Sequence, residues 1–233
     1  MGTSMAIADG GRFSGYLGLP PAGHGPGLVV IQEIFGVNSH IRAVVDDYAR
    51  QGYVTLAPDL FWRVSPGIEL GYSADDIVRG RDLRQQISQE EMLADLQAAA
   101  TALRARTDCS GKLGAVGYCM GGKLSFALAA TPALDAAVSY YGAGTVSLLG
   151  LARRITSPLQ SHYGALDRSI PPLEVEQTRD AFTGRADVEI YLYDDADHGF
   201  NCDQRESYNP DAATLARSRA LEFFARQLGG GAR

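Results

Sequence analysis

The chain has 233 residues, a size typical of one α/β domain, and 45% of them are hydrophobic, enough for a sizeable core. A formal net charge of −6 without any basic block argues against a nucleic-acid surface, and no apolar run is long enough to span a membrane. The first ten residues show no secretory signal, and the three cysteines are far apart, without C-x-x-C spacing. We therefore expect a cytoplasmic protein that needs no metal or cofactor and binds neither nucleic acid nor membrane.

The first half of the chain alternates short apolar runs with a segment of helical period. The runs are rich in β-branched residues, which is typical of strands buried in a parallel sheet. Apolar residues at helical spacing follow Asn38 or Ser39, either of which can cap a helix, and Gly52 supplies the stop. In chain order, the predicted elements are one or two short strands within 5–19, a strand at 28–31, this helix up to 51 and a strand at 53–57.

Residues 61–88 show no clean period. We interpret them as an irregular excursion beside the functional site, with one short helix around 75–84. Residues 89–106 then predict a long helix, because their apolar residues recur on one face.

The second half returns to regular alternation. Its predicted elements are a strand at 112–116, a helix at 123–130, strands at 136–141 and 159–163, a helix at 174–182, a strand at 188–193 and a closing helix at 212–228. Strands alternate with helices, and the chain shows neither an internal repeat nor a linker. This pattern predicts a single domain over 1–233, with a mostly parallel sheet covered by helices on both faces.

The stretch from Gly117 to Gly121 reads G-x-C-x-G, with Cys119 at its centre. An apolar run precedes it and an alanine-rich segment follows, which is the strand–turn–helix context of a nucleophile elbow. Glycine at both ends relieves crowding at such a turn. A helix N-terminus stabilises negative charge and so favours a thiolate. The motif alone is weak, because small cysteines are common in packed turns.

Two further residues follow predicted strands in the order that α/β-hydrolases use, nucleophile, acid and then histidine. Asp167 follows the strand at 159–163, and His198 follows the strand at 188–193. Cys119 would attack a carbonyl carbon, His198 would hold or move the proton, and Asp167 would orient the imidazole. Backbone N–H groups of Met120 and Ile34 would form the oxyanion hole.

Each of these residues also has an ordinary structural interpretation. Asp167 could be a turn aspartate, His198 a surface histidine, and Glu33 the cap of the helix that follows it. Three residues at successive strand ends in the required order are much less probable by chance than any one alone. The combination therefore predicts a Cys-His-Asp hydrolase site.

The chain resembles the dienelactone hydrolases, or carboxymethylenebutenolidases. The resemblance rests on Q-E-I-F-G at 32–36, P-D-L at 58–60, G-Y-C-M-G-G at 117–122, Y-Y-G at 140–142, G-A-L-D at 164–167 and H-G-F at 198–200. It implies an α/β-hydrolase fold and a cysteine enzyme that opens unsaturated lactones of chloroaromatic degradation. It also implies that Glu33 moves on substrate binding and helps to produce the thiolate, and that Tyr141 lines the pocket.

The chain departs from the family at the arginines that bind the substrate carboxylate. Where the resemblance places one of them, four residues after the histidine, the sequence has Cys202. The other belongs to the excursion, where Arg79, Arg81 or Arg84 could serve, and Arg205 could replace the missing one. Ordinary solvated arginines account for at least two of these four.

Three functions remain open at this point. The first is hydrolysis of small lactones or activated esters through an acyl-enzyme. The second is a broader carboxylesterase or thioesterase that acts on uncharged substrates. The third is a non-catalytic, redox-responsive binding protein in which Cys202 could pair with an oxidised Cys119. We expect a monomer or a small homo-oligomer in each case.

Overall fold

The computed structural model describes residues 2–229, which form one domain around a single sheet of eight strands. The strands are β1 (Thr3–Ala8), β2 (Phe13–Gly18), β3 (Gly25–Ile31), β4 (Val54–Pro58), β5 (Cys109–Tyr118), β6 (Ala136–Tyr140), β7 (Leu159–Gly164) and β8 (Val188–Tyr193). Met1 and residues 230–233, which the predicted domain included, lie outside the described residues.

Within residues 2–229, six α-helices connect or flank these strands. They are α1 (Ser39–Arg50), α2 (Ala74–Gln85), α3 (Gln89–Arg104), α4 (Met120–Leu128), α5 (Pro172–Ala181) and α6 (Pro210–Leu228). Two 3-10 segments cover Asp9–Gly11 and Thr145–Arg154. The second was not predicted, because its apolar residues follow no helical period; it starts after Gly144, whose φ of 76° is left-handed.

The strand order is β1-β2-β4-β3-β5-β6-β7-β8. β1 pairs with β2, and β2 with β4, in antiparallel fashion, whereas every pair from β4 to β8 is parallel. Parallel neighbours need crossovers, and the helices supply them. Because the six strands from β3 to β8 run in the same direction, their carboxyl ends share one edge, where loops can gather reactive side chains.

The core has two layers, one on each face of the sheet. Leu28 and Val30 of β3 face one layer, and Val29 and Ile31 face the other. All four side chains are fully buried, and each contributes about 1.5–3 kcal/mol by leaving water. α3 and α4 cover one face while α1 and α6 cover the other. The expected mostly parallel sheet, covered on both faces within one domain, is confirmed.

The predicted excursion lies over the loop that follows β3. The Leu70 N–H donates to the Phe35 carbonyl at 2.9 Å, and Gly36 forms an isolated bridge with Glu69. Gly80 of α2 packs so closely that a Cβ there would lie 2.4 Å from the Ile34 carbonyl oxygen. The excursion is thus held by the loop that carries Glu33, and it covers one side of the candidate site. Within residues 2–229, no helix is both long and apolar enough to cross a membrane.

Candidate active site

Cys119 occupies the bend between β5 and α4. Its φ of 54° and ψ of −114° are unusual for a side chain with a Cβ and cost about 1–3 kcal/mol. The flanking glycines make the bend possible, since a Cβ on Gly117 would lie 1.9 Å from the Gly121 carbonyl oxygen. The Cys119 N–H donates to the Tyr140 carbonyl at 3.0 Å and fixes the bend to the neighbouring strand. The thiol is partly exposed beyond the carboxyl end of the sheet.

The structure brings Cys119, His198 and Asp167 into one hydrogen-bonded chain. Nε2 of His198 lies 3.1 Å from the Cys119 sulfur, and Nδ1 lies 2.7 Å from Oδ2 of Asp167. The Asp167 side chain is fully buried, and its Oδ1 accepts a hydrogen bond from the Ser169 N–H at 2.8 Å. Because both carboxylate oxygens are engaged, Asp167 holds the imidazole in one orientation toward the sulfur.

The charges around His198 favour its protonated form. Burial lowers the pKa of His198, but the neighbouring Cys119 and the hydrogen-bonded Asp167 raise it by a larger amount. The net result is a pKa of about 10. At neutral pH, His198 therefore carries a proton that it can deliver to a leaving oxygen.

Glu33 lies directly after β3 and is completely buried. Its Oε1 accepts a hydrogen bond from Nη1 of Arg205 at 3.2 Å, and its Oε2 lies 3.5 Å from the Tyr72 hydroxyl. Burial lowers the pKa of Arg205, but Glu33 and the nearby tyrosine and cysteine groups raise it, so that the pKa stays above its ordinary value. The guanidinium also lies 5.8 Å from the ring centre of Phe35. Glu33 is thus paired in the site and does not act as a helix cap; Asn38 caps α1.

Gly199 explains how Arg205 reaches this position. Its φ of 80° is left-handed, and a Cβ there would lie 2.4 Å from Nη1 of Arg205. The glycine of the H-G-F motif therefore leaves space for the guanidinium beside Glu33. Sequence reasoning offered Arg205 only as one of several candidates, because this clearance depends on how the loop after β8 folds.

Cys202 and Tyr72 lie on the same side of the site as Glu33. The Cys202 side chain is fully buried, and burial raises the pKa of its thiol to about 11. Burial, with the nearby Glu33 charge, also raises the pKa of Tyr72 well above its usual range. Tyr72 belongs to the excursion and was not among the predicted site residues, because its irregular surroundings gave no signal.

Tyr141 packs against the catalytic histidine candidate. Its ring centre lies 5.2 Å from that of His198, and its φ of 37° places it among the few non-glycine residues with left-handed backbone. The side chain is fully buried, and its hydroxyl has no hydrogen-bond partner among the described residues. Its part in substrate binding stays a prediction.

For two pairs of residues predicted for the site, the structure gives a position but no contact that shows the predicted role. Met120 is the first residue of α4, so its N–H precedes the first helical hydrogen bond of that helix, and Ile34 lies in the loop after β3, against Gly80 of α2. Arg79 and Arg81 are both exposed on α2, and in residues 2–229 neither forms an ion pair. The oxyanion role of the first pair and the substrate role of the second remain predictions, and Arg205 is the arginine that contacts Glu33.

An open groove of about 760 Å³ lies next to this arrangement, between the start of α2 and the loop at 204–207. Tyr72 and Arg205 line it, together with the partly buried Ile77. The groove thus brings solvent-accessible space to the same arginine that pairs with Glu33. A ligand there would meet apolar surface from Ile77 and Ala74, the Arg205 cation and the Glu206 carboxylate.

Comparisons with known proteins identify the family of the chain. The profile of the Dienelactone hydrolase family matches residues 13–228. A Synechocystis relative is 39% identical over 228 residues, covering 93% of each chain, and a carboxymethylenebutenolidase from Pseudomonas putida is 34% identical, covering 96% of this chain and 95% of its own. A Klebsiella pneumoniae crystal structure at 33% identity superimposes with a TM-score of 0.86 and covers 97% of this chain and 98% of its own. The α/β-hydrolase fold is confirmed, and the chain belongs to the dienelactone hydrolase family.

Proposed function

We propose that this protein hydrolyses small unsaturated lactones of the dienelactone type, with Cys119 as its nucleophile. The observation that carries the proposal is the continuous chain from the Cys119 sulfur through His198 to Asp167, with distances of 3.1 and 2.7 Å. Family membership supports the same activity, because the Pseudomonas putida relative is a carboxymethylenebutenolidase. The substrate is a small molecule, and no cofactor takes part in the proposed steps.

The reaction would proceed in two stages. The sulfur of Cys119 attacks the lactone carbonyl carbon, and the carbonyl oxygen becomes an anion that the Met120 and Ile34 N–H groups stabilise. Collapse breaks the ring C–O bond, and His198 donates its proton to the departing oxygen, which stays tethered to the acyl group. Neutral His198 then takes a proton from water, and the hydroxide releases the acid and restores the sulfur.

Glu33 and Arg205 would couple substrate binding to this chemistry. Oε1 of Glu33 is paired with Nη1 of Arg205 at 3.2 Å. A substrate carboxylate would compete for the same guanidinium, because arginine binds carboxylates in a bidentate manner. The displaced Glu33 would then be free to help form the thiolate, as the family resemblance implies.

Removal of the nucleophile tests the mechanism. We expect Cys119→Ala to abolish turnover of a dienelactone and of p-nitrophenyl acetate, measured by absorbance. Cys109→Ser is the matched control, because Cys109 begins β5, roughly 30 Å from the bend, and should retain full activity. Undiminished turnover in Cys119→Ala would disprove the mechanism.

A second candidate function is the hydrolysis of uncharged esters or thioesters. Two observations favour it: Glu33 already balances the Arg205 charge, and Cys202 stands where the resemblance places a carboxylate-binding arginine. A panel of paired substrates, each with a free carboxylate or its methyl ester, separates the two functions. The dienelactone proposal requires higher kcat/KM for the free acids, whereas equal or higher values for the methyl esters would support the second candidate.

The variant Arg205→Met tests whether Arg205 binds the substrate carboxylate. For a free-acid substrate, we expect KM to rise by about tenfold or more, because one charge-assisted interaction is lost. Arg79→Met, which removes an exposed arginine of α2, should leave KM unchanged. A larger rise in KM in Arg79→Met than in Arg205→Met would indicate that the substrate carboxylate binds at the excursion.

The cytoplasmic location and the monomeric or small oligomeric state belong to this proposal as well. The three cysteines are free, which is consistent with a reducing compartment. Cell fractionation and size-exclusion chromatography with light scattering test the two statements directly.

A further inference from the structure

Three side chains with metal-binding atoms meet beside the candidate active site. They are Glu33 after β3, His40 in the first turn of α1 and Cys202 in the loop after β8. One ring nitrogen of His40, the Cys202 sulfur and a carboxylate oxygen of Glu33 all lie within 4.8 Å of one another. All three residues are buried, so the protein has already removed these groups from water.

His40 offers the clearest sign that the cluster is prepared for a ligand. Its Nε2 is buried and has no hydrogen-bond partner in the described part of the chain. Its Nδ1 lies 3.6 Å from Oδ1 of Asp203, which is 68% exposed. A carboxylate near one ring nitrogen electrostatically favours a proton on that nitrogen, and the lone pair of the other nitrogen is then available to a metal ion. The ring is only 4% exposed, so bulk water does not satisfy Nε2.

We propose that His40, Cys202 and Glu33 form a binding site for a divalent d¹⁰ cation of the zinc class. Imidazole nitrogen, thiolate sulfur and carboxylate oxygen are the three ligand types that zinc uses in proteins. With metal–ligand distances of about 2.0–2.3 Å, the three atoms need to approach one another by about 1 Å, and water completes a tetrahedron. Binding replaces the S–H bond of Cys202 with a metal–sulfur bond and releases that proton to solvent.

Arg205 does not block this site. Its guanidinium contacts Oε1 of Glu33 and leaves Oε2 to the Tyr72 hydroxyl, 3.5 Å away, which also hydrogen-bonds Cys202 and would have to turn aside for the ion. The Cys202 thiolate and the Glu33 carboxylate together supply two negative charges against the two positive charges of the cation. Because Glu33 also pairs with Arg205, the cluster of Arg205, Glu33 and Cys202 changes from neutral to one net positive charge when the ion binds and the thiol proton leaves.

The site also has a consequence for turnover, which depends on the proposed function. A cation on Glu33 would hold that carboxylate in place, so that it could no longer move when substrate binds. Zinc would then act as a reversible inhibitor that never contacts Cys119. A zinc ion at Cys119 itself would inhibit as well, so binding must be measured without that thiol.

The binding test uses a Cys109→Ser/Cys119→Ser double variant, in which Cys202 is the sole remaining thiol. We expect titration with Cd²⁺ to produce the ultraviolet cadmium–thiolate charge-transfer band, saturating at one ion per chain. The added substitution Cys202→Ser should abolish the band, and His40→Gln should weaken Cd²⁺ affinity by more than tenfold. Circular dichroism shows whether each variant is folded.

Two matched controls make this result specific. His24→Gln removes an exposed histidine and should leave Cd²⁺ affinity unchanged, whereas Asp203→Asn should weaken it by about tenfold through the His40 ring. The site is overturned if the folded double variant shows no band, if the band survives Cys202→Ser, or if His24→Gln weakens affinity as much as His40→Gln.

Inhibition is tested separately in proteins that retain Cys119. Zinc at equal free concentration should reduce kcat/KM by a larger factor in the wild type than in Cys202→Ser, and a chelator should restore both. Equal inhibition of the two proteins would overturn the inhibitory role while leaving the proposed hydrolase activity unaffected. If the zinc-free wild type showed no turnover at all, the proposed function itself would be contradicted.

Discussion

The side chain of His198 is the point at which the electrostatics of the candidate site converge. The imidazole lies between a buried carboxylate and a partly exposed sulfur, at 2.7 and 3.1 Å. Burial alone would disfavour its charged form, so the raised pKa of about 10 depends on both neighbours. The proton on His198 is therefore stabilised by Asp167 and Cys119 together.

Asp167→Asn tests this dependence. The amide keeps the shape of the side chain but loses its charge, so we expect the His198 pKa to fall below about 10 in an NMR titration of ring protons. The value of kcat/KM should fall by roughly 10³-fold, because an uncharged partner stabilises neither the imidazolium nor the required tautomer. Asp194→Asn, an exposed change nearby, should alter neither quantity. An unchanged His198 pKa in Asp167→Asn would contradict the electrostatic role.

At the scale of elements, the turn from β5 into α4 determines where the sulfur lies. Gly121 packs against the neighbouring strand β3, since a Cβ there would lie 2.2 Å from the Ile31 carbonyl oxygen and 2.6 Å from that of Gln32. Both obstacles are backbone atoms, which cannot move aside as a flexible side chain can. The close approach of α4 to β3 thus requires glycine, and it brings the helix N-terminus to the edge where β3 ends.

Gly121→Ala should therefore destabilise the fold by at least about 2 kcal/mol, because the added methyl group forces backbone apart. Gly150→Ala is the matched control, since a Cβ there has no neighbour within 4 Å. It should change stability by no more than about 0.5 kcal/mol. Urea unfolding followed by circular dichroism measures both, and equal stability of the two variants would show that the turn tolerates a side chain.

At the scale of the whole molecule, a buried histidine connects strands β7 and β8 to helix α6. Nε2 of His162 donates to Oε1 of Gln160 at 2.8 Å, and Nδ1 accepts from the Tyr193 hydroxyl at 2.8 Å. The Gln160 amide in turn donates to the Arg219 carbonyl of α6 at 3.3 Å. Burial lowers the pKa of His162 to about 3, so the folded protein holds this ring neutral.

This network predicts how stability depends on pH. The unfolded chain binds a proton at His162 below pH 6.5, and the folded chain does so only below about 3. Stability from this residue is thus fully present above pH 6.5 and declines as the pH falls toward 3, by up to about 5 kcal/mol. His162→Gln should reduce the slope of the unfolding free energy across this range, measured by urea titrations, and His24→Gln should not. An unchanged slope in His162→Gln would show that the ring does not control acid stability.

Much of the fold could be predicted because strand and helix periods are local properties of the chain. The strand predicted at 28–31 starts three residues after β3 does, the one at 159–163 ends one residue before β7 does, and the one at 188–193 has the bounds of β8. The short helix expected within the excursion corresponds to α2, whose Ser73 and Asp76 form a capping box. The 3-10 segment Thr145–Arg154 escaped prediction, since its conformation follows contacts made after folding rather than a period in the sequence.

The candidate site divides in the same way. Cys119, Asp167 and His198 could be selected from the sequence, because each follows a strand and parallel strands end at one edge. The pairing of Arg205 with Glu33 could not be selected, because it depends on the left-handed Gly199 and on a loop 172 residues away in sequence.

The amino-acid order alone thus determined the alternation of elements, the strained bend and the identity of the reactive groups, all of which depend on neighbours along the chain. Tertiary structure alone decided which arginine meets Glu33, that Tyr72 closes one side of the site, and that His40 and Cys202 meet Glu33 within 4.8 Å. These contacts join loops from distant segments, and the conformations of such loops are set by the surfaces against which they pack.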